Sequence, residues 1–260
     1  MSSNLTSTLF ALRTLGALVP CTLRALVPST LRALPALALL LVAAQASAAG
    51  APWPPAGKTD RVAANLAARN FYVVFDGSGS MNESACQGGG RKIEQAKAAL
   101  AVFAKAAPRD ANIGLLVFDN KGITERVPLA LDNREAFMRE IAAVRPSGGT
   151  PLADAIALAR KHLEVQARRQ YGYGEYNLVV VTDGEAGAGQ DPRAIVNDLL
   201  ARSPIVVHTI GFCISANHSL NQKGRTVYRA ANDRAEIERG LEEVLAESPK
   251  FTVDKFTAPR

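Results

Sequence analysis

Phe71-Tyr-Val-Val-Phe-Asp-Gly-Ser-Gly-Ser-Met81 is the stretch on which the reading of the fold turns. Its first five residues are apolar and β-prone without alternation, the pattern of a strand buried on both faces of a parallel sheet. The run stops at Asp76-Gly77, which predicts a tight loop at the sheet's edge. Downstream, Ile93, Ala96, Leu100, Phe103 and Ala107 recur at steps of three and four ahead of Pro108, so a helix follows the strand.

Outward from this first unit the alternation continues. Ile113 to Phe118 predicts a second buried strand, Asp119-Asn-Lys-Gly122 a turn, and Val127 to Leu131 a weaker edge strand that tolerates Pro128. Helical spacing returns at Phe137-Ile141-Val144 and at Leu152-Ile156-Ala159-Leu163, with Pro151 at the first helical position. Leu178 to Thr182 predicts a third central strand, again followed by Asp-Gly. A helix around Ile195 to Leu200, a strand from Ile205 to Phe212, a weak strand around Arg225 to Arg229 and a helix from Ala235 to Ala246 complete the series. This order predicts an α/β fold: a doubly wound, mostly parallel sheet with one antiparallel edge strand and helices on both faces. Ligands of such sheets sit at the carboxyl ends of the strands, where strand order reverses. Asp76 and Asp183 both fall on that edge.

Asp76, Ser78 and Ser80 crowd one carboxylate and two hydroxyls into five residues, with glycines between them that let the loop turn. Thr150 opens a helix behind two glycines, and Asp183 closes the third strand. An all-oxygen set of this kind suits a hard cation, Mg²⁺ first, with Mn²⁺ or Ca²⁺ as alternatives. The glycine-rich runs lack the spacing of a dinucleotide or phosphate loop. A Mg²⁺-dependent hydrolase is disfavoured because no Cys, His or Lys is placed near Asp76 by motif to act as nucleophile or base.

With these residues in hand, the chain resembles a von Willebrand factor A-type domain with its metal-ion-dependent adhesion site. The resemblance rests on Asp76-x-Ser78-x-Ser80, Thr150 and Asp183 in the family's order, within Val73 to Met81, Gly148-Gly-Thr-Pro-Leu152 and Val179-Val-Val-Thr-Asp-Gly184. It covers roughly residues 70–247. It implies that the serines touch the metal directly, Thr150 directly or through water, and the aspartates mostly through water. It further implies a non-catalytic module whose metal captures a carboxylate on a partner protein. The alternative within the family is an accessory subunit of an ATPase or chelatase-type machine, which a cytoplasmic location would favour.

The chain's ends bear on location. Residues 1–48 are rich in Leu and Ala and hold Arg13, Arg24 and Arg32 but no acid, so the formal +6 falls to +3 in the remainder. Bases and acids there are interspersed, which does not make a nucleic-acid footprint. The apolar run Pro35 to Ala44 followed by Ala46-Ser47-Ala48 predicts a signal peptide over residues 1–48, with an uncleaved membrane anchor as the alternative. Cleavage leaves no membrane span in the mature form and a periplasmic or secreted protein. A Pro-rich linker over residues 49–69, the domain over 70–250 and a tail over 251–260 complete the division.

Cys21 leaves with the signal segment, so Cys86 and Cys213 remain. They stand in long loops on the expected ligand-facing rim, after the Asp76 loop and after the strand ending near Phe212. Export and an even count suggest that they pair, with two free thiols as the alternative. Of the histidines, His162 lies off its helix's apolar seam and reads as solvated, His208 as packed within a strand, and His218 as the one near the site. Tyr171 and Tyr173 read as a mobile loop that could offer a contact patch.

Overall fold

The computed structural model describes residues 52–247. The expected signal peptide over residues 1–48 and tail over 251–260 lie outside the described residues. Six strands form one sheet in the order β3-β2-β1-β4-β5-β6, with β1 Arg69–Asp76, β2 Asn112–Asp119, β3 Gly122–Ala130, β4 Glu175–Thr182, β5 Val206–Phe212 and β6 Val227–Ala231. All neighbours are parallel except the β2–β3 pair. Among the described residues five α-helices accompany them, the last one following β6: α1 Lys92–Ala106, α2 Arg134–Ala143, α3 Leu152–Arg169, α4 Arg193–Arg202 and α5 Arg234–Ala246.

Every residue of β1 is buried, as an apolar run without alternation requires. Phe71, Val73 and Phe75 join one core with Leu100 and Phe103 of α1, Phe137 and Ile141 of α2, and Ile237 and Leu241 of α5. Tyr72 and Val74 join another with Ile156 and Leu163 of α3 and Val196 and Leu199 of α4. Helices therefore cover both faces, and each large apolar side chain so buried contributes about 1.5–3 kcal/mol. The chain moves outward from β1 to β3 and then crosses back to β4. Strand order thus reverses between β1 and β4, the two strands that lead into Asp76 and Asp183.

Several boundaries move. The edge strand β3 begins at Gly122, five residues before the apolar signal, because pairing to β2 extends it through a stretch that is exposed or half-buried. Its register slips around Leu115, opposite Val127, beside Pro128, which has no N–H to give to a ladder. β6 runs from Val227 to Ala231, later than expected, and Pro151 precedes the first helical residue of α3. The linker is less free than its composition suggests. Trp53 packs edge-on against Tyr176 with ring centroids 5.5 Å apart, and Arg169 holds both oxygens of Asp60. His162 is half-buried rather than solvated: its ring stacks on Tyr72, and its Nδ1 lies 3.0 Å from Glu125 Oε1, which also accepts the Tyr72 hydroxyl.

Cys86 and Cys213 form a disulfide with Cα atoms 5.7 Å apart. It ties the loop before α1 to the end of β5, across a sequence separation of 127 residues. Closing so long a loop restricts the unfolded chain strongly. The double variant Cys86→Ser/Cys213→Ser is expected to lose about 2–4 kcal/mol in denaturant unfolding. Equal midpoints for the oxidised wild type and the double variant contradict this.

Candidate metal site

Three loops converge at the carboxyl edge of the sheet, and backbone hydrogen bonds stitch them together. Gly77 N–H donates to Phe118 O at 2.9 Å, Gly79 N–H to Gly148 O at 3.0 Å, and Ser147 N–H to Gly77 O at 2.9 Å. These fasten the Asp76 loop to the end of β2 and to the loop that carries Thr150. Gly187 N–H then donates to Thr150 O at 2.9 Å, which brings the loop after β4 onto the same point. The approach at Gly77 is close enough to exclude a side chain: a Cβ there would lie 2.9 Å from both Asp119 Cβ and Val144 Cγ1.

Asp76 is fully buried. Its Oδ1 accepts the Ser78 N–H at 2.8 Å, closing the turn, and its Oδ2 accepts the Thr182 hydroxyl at 2.6 Å. Burial pushes its carboxyl up to about 6 against these hydrogen bonds, and the Asp183 charge pushes the same way. Ser80 Oγ donates to Asp183 Oδ1 at 2.8 Å, so the Ser78 hydroxyl, 3.0 Å from Ser80 Oγ, is the donor to it. Asp76, Ser78, Ser80 and Asp183 are thereby joined side chain to side chain or through one turn. Thr150 is brought alongside them by its backbone and is half-buried.

Two residues at the site carry no sequence signal of their own role. Thr182 caps Asp76 from the neighbouring strand. Lys92, at the start of α1, reaches Asp183 Oδ2 at 2.9 Å and Glu83 Oε2 at 2.8 Å. No motif places a lysine near Asp76, and Lys92 arrives by the fold instead: it lies 91 residues from Asp183 in the chain. Burial opposes its charge, but the two carboxylates outweigh that and hold the ammonium above its ordinary range.

His218 backs the same edge. Leu220 N–H donates to its Nδ1 at 3.1 Å, so its Nε2 carries the proton and donates to Gly184 O at 3.0 Å. The ring stacks on Tyr228 and is buried, which makes it a support for the residue after Asp183 rather than an exposed contact. Tyr171 and Tyr173 are exposed but lie before β4, at the opposite edge of the sheet.

Among the described residues no three of His, Cys, Asp and Glu gather as a metal-ligating group. The oxygens gathered at this edge are the Asp76 and Asp183 carboxylates and the Ser78 and Ser80 hydroxyls, with Thr150 brought near by its backbone. This set fits a hard divalent cation: all these donors are oxygen, and the buried Asp76 carboxylate is held by dipoles against its burial and the Asp183 charge.

The family described as von Willebrand factor type A domain matches residues 71–185. YwmD of Bacillus subtilis is 33% identical over 202 residues, 70% of this chain and 86% of that protein. In fold the chain is similar to the manganese-loaded TRAP protein of Plasmodium vivax, with a TM-score of 0.53, 21% identity, and coverage of 69% of this chain and 74% of that one. It is also similar to the PilB minor pilin of Streptococcus sanguinis, with a TM-score of 0.56, 11% identity, and coverage of 71% and 62%.

Two outcomes follow from this geometry. Gly77→Ala forces apart Asp119 and Val144 and is expected to cost about 1–3 kcal/mol in denaturant unfolding; an unchanged midpoint contradicts the close approach. The second concerns pH in chelator. Asp76 has a folded value of about 6 against 3.8, so folding holds its proton; that contribution is present below 3.8 and lost as pH rises through 6. Buried His208 has a value of about 4 against 6.5, so its contribution is present above 6.5 and lost as pH falls towards 4. Asp76→Asn removes the first and leaves the second. Wild type is expected to lose stability relative to Asp76→Asn between about pH 4 and pH 7, by on the order of 2–3 kcal/mol. A pH-independent difference contradicts it.

Proposed function

The chain belongs to the von Willebrand factor type A family, and on that premise we propose that it is an exported, non-catalytic binding module whose divalent cation captures a carboxylate of a partner protein. Asp76, Ser78, Ser80, Thr150 and Asp183 are the residues that would hold the ion. Mg²⁺ or Mn²⁺ is the expected occupant; the manganese-loaded TRAP structure of the same fold is a precedent in another protein.

The observation that carries this reading is the Ser80 hydroxyl, set between Ser78 Oγ and Asp183 Oδ1. It joins the loops of two adjacent strands into one cluster of oxygens at the point where strand order reverses. Neutral hydroxyls make up most of the donors, so a bound divalent ion would keep much of its charge for an incoming carboxylate. The chain's own residues then divide the work. Asp76 supplies negative charge from within and is held by Ser78 N–H and the Thr182 hydroxyl. Ser78 and Ser80 present their oxygens on a turn that the Gly148 and Gly77 backbone contacts keep in place.

Export is supported by the segment over residues 1–48 and by the Cys86–Cys213 bond, since such bonds persist in oxidising compartments. No described helix is long and apolar enough to cross a membrane. Catalysis finds no support in Lys92, whose ammonium is held by two carboxylates.

Isothermal titration of Mg²⁺ or Mn²⁺ tests the site. Asp76→Ala is expected to weaken metal binding by about tenfold or more, and Thr150→Ala by less, since water can replace one neutral ligand. Capture of the partner from the cell envelope is expected to fail in chelator, because metal and carboxylate bind cooperatively. Equal metal affinity in wild type and Asp76→Ala contradicts the site; chelator-resistant capture contradicts the mechanism.

A further inference from the structure

Asp183 divides its two oxygens between different neighbours. Oδ1 takes the Ser80 hydroxyl at 2.8 Å, on the side of the serine cluster, and Oδ2 takes Lys92 Nζ at 2.9 Å. The Asp183 side chain is wholly enclosed and that of Lys92 is 11% exposed, so this pair is sheltered from solvent screening in a way that surface pairs are not. Glu83 holds the same ammonium from the outside at 2.8 Å, and Glu83 O accepts the Lys92 N–H at 3.0 Å. Lys92 is thus anchored at backbone and at both sides of its tip.

This division bears on which ion the site prefers. Ca²⁺ takes roughly six to eight oxygens and readily engages both oxygens of one carboxylate, whereas Mg²⁺ keeps a small octahedral shell with single oxygens. We infer that Lys92 is a selectivity residue: by holding Asp183 Oδ2 it opposes the two-oxygen engagement of this carboxylate that Ca²⁺ favours, and so disfavours Ca²⁺ relative to Mg²⁺. The inference rests on the metal-binding reading above. The positive charge of Lys92 weakens all divalent ions alike; the blocked oxygen is what separates them.

Titration of Ca²⁺ and Mg²⁺, each as the metal alone, into wild type, Lys92→Met and Lys92→Arg tests it. Lys92→Met keeps the buried stem and frees Asp183 Oδ2. Both ions are expected to bind more tightly to it, and the ratio of Ca²⁺ to Mg²⁺ affinity to rise by about tenfold. Lys92→Arg, which retains the charge and a donor, is expected to keep the ratio within about threefold of wild type. If Lys92→Met does not fold, Lys92→Gln is read in its place, since it is neutral and shorter by one atom; the expected rise is then smaller but in the same direction. A ratio unchanged in the neutral variant, or raised equally in Lys92→Arg, overturns the inference while leaving metal binding intact. Absence of any metal binding to wild type overturns both.

Discussion

Two carboxylates, Asp76 and Asp183, are buried at the ends of hydrogen-bonded neighbouring strands, and the loops around them are arranged by that fact. Taking an ionised carboxylate out of water costs several kcal/mol, and a second one nearby adds to the penalty. The fold meets this with partial positive charges aimed inward: the Ser78 N–H and Thr182 hydroxyl on Asp76, the Ser80 hydroxyl and Lys92 ammonium on Asp183. The two acids are not treated alike. Asp183 has a full charge beside it, while Asp76 has only dipoles, and burial pushes the Asp76 carboxyl up to about 6. In the proposed reading, a divalent cation supplies what those dipoles lack.

The surroundings extend outward from the pair in layers. Gly77 lets the Asp76 loop lie against β2, and the Gly148 loop is fastened to it by reciprocal backbone contacts. Behind Asp183, His218 holds Gly184 O, and Tyr228 stacks on that histidine. On the third side the loop over residues 83–91 closes on itself through Ala85 N–H to Gly90 O and a bridge between Ser84 and Arg91. Cys86 fixes that loop to Cys213. The loop delivers Glu83 and then Lys92, so the disulfide, the ion pairs and Asp183 form one continuous support.

Much of this was legible in the sequence, for reasons that differ by residue. β1 and β4 announce themselves because both faces are covered, and their apolar runs need no knowledge of the rest of the chain. Asp76, Ser78 and Ser80 share five residues, so their convergence is local. The edge strands are less legible: β6 is only partly buried, and Val227 to Ala231 offers little apolar contrast. Lys92 looks like any helical lysine until Asp183 is folded against it, and His162 looks solvated until β3 brings Glu125 beside it. Trp53 sits in a Pro-rich stretch that reads as a spacer, yet it packs on Tyr176. Each of these depends on a partner far away in the chain, which periodicity and composition do not encode.

The proposed function requires one cation at the carboxyl edge between β1 and β4. Diffraction from crystals soaked in Mn²⁺, recorded where manganese scatters anomalously, tests it most directly. The account predicts a single strong anomalous peak within coordination distance of the Ser78 and Ser80 hydroxyls, beside Asp76 and Asp183. A peak elsewhere on the domain, or none at this edge at saturating Mn²⁺, contradicts it.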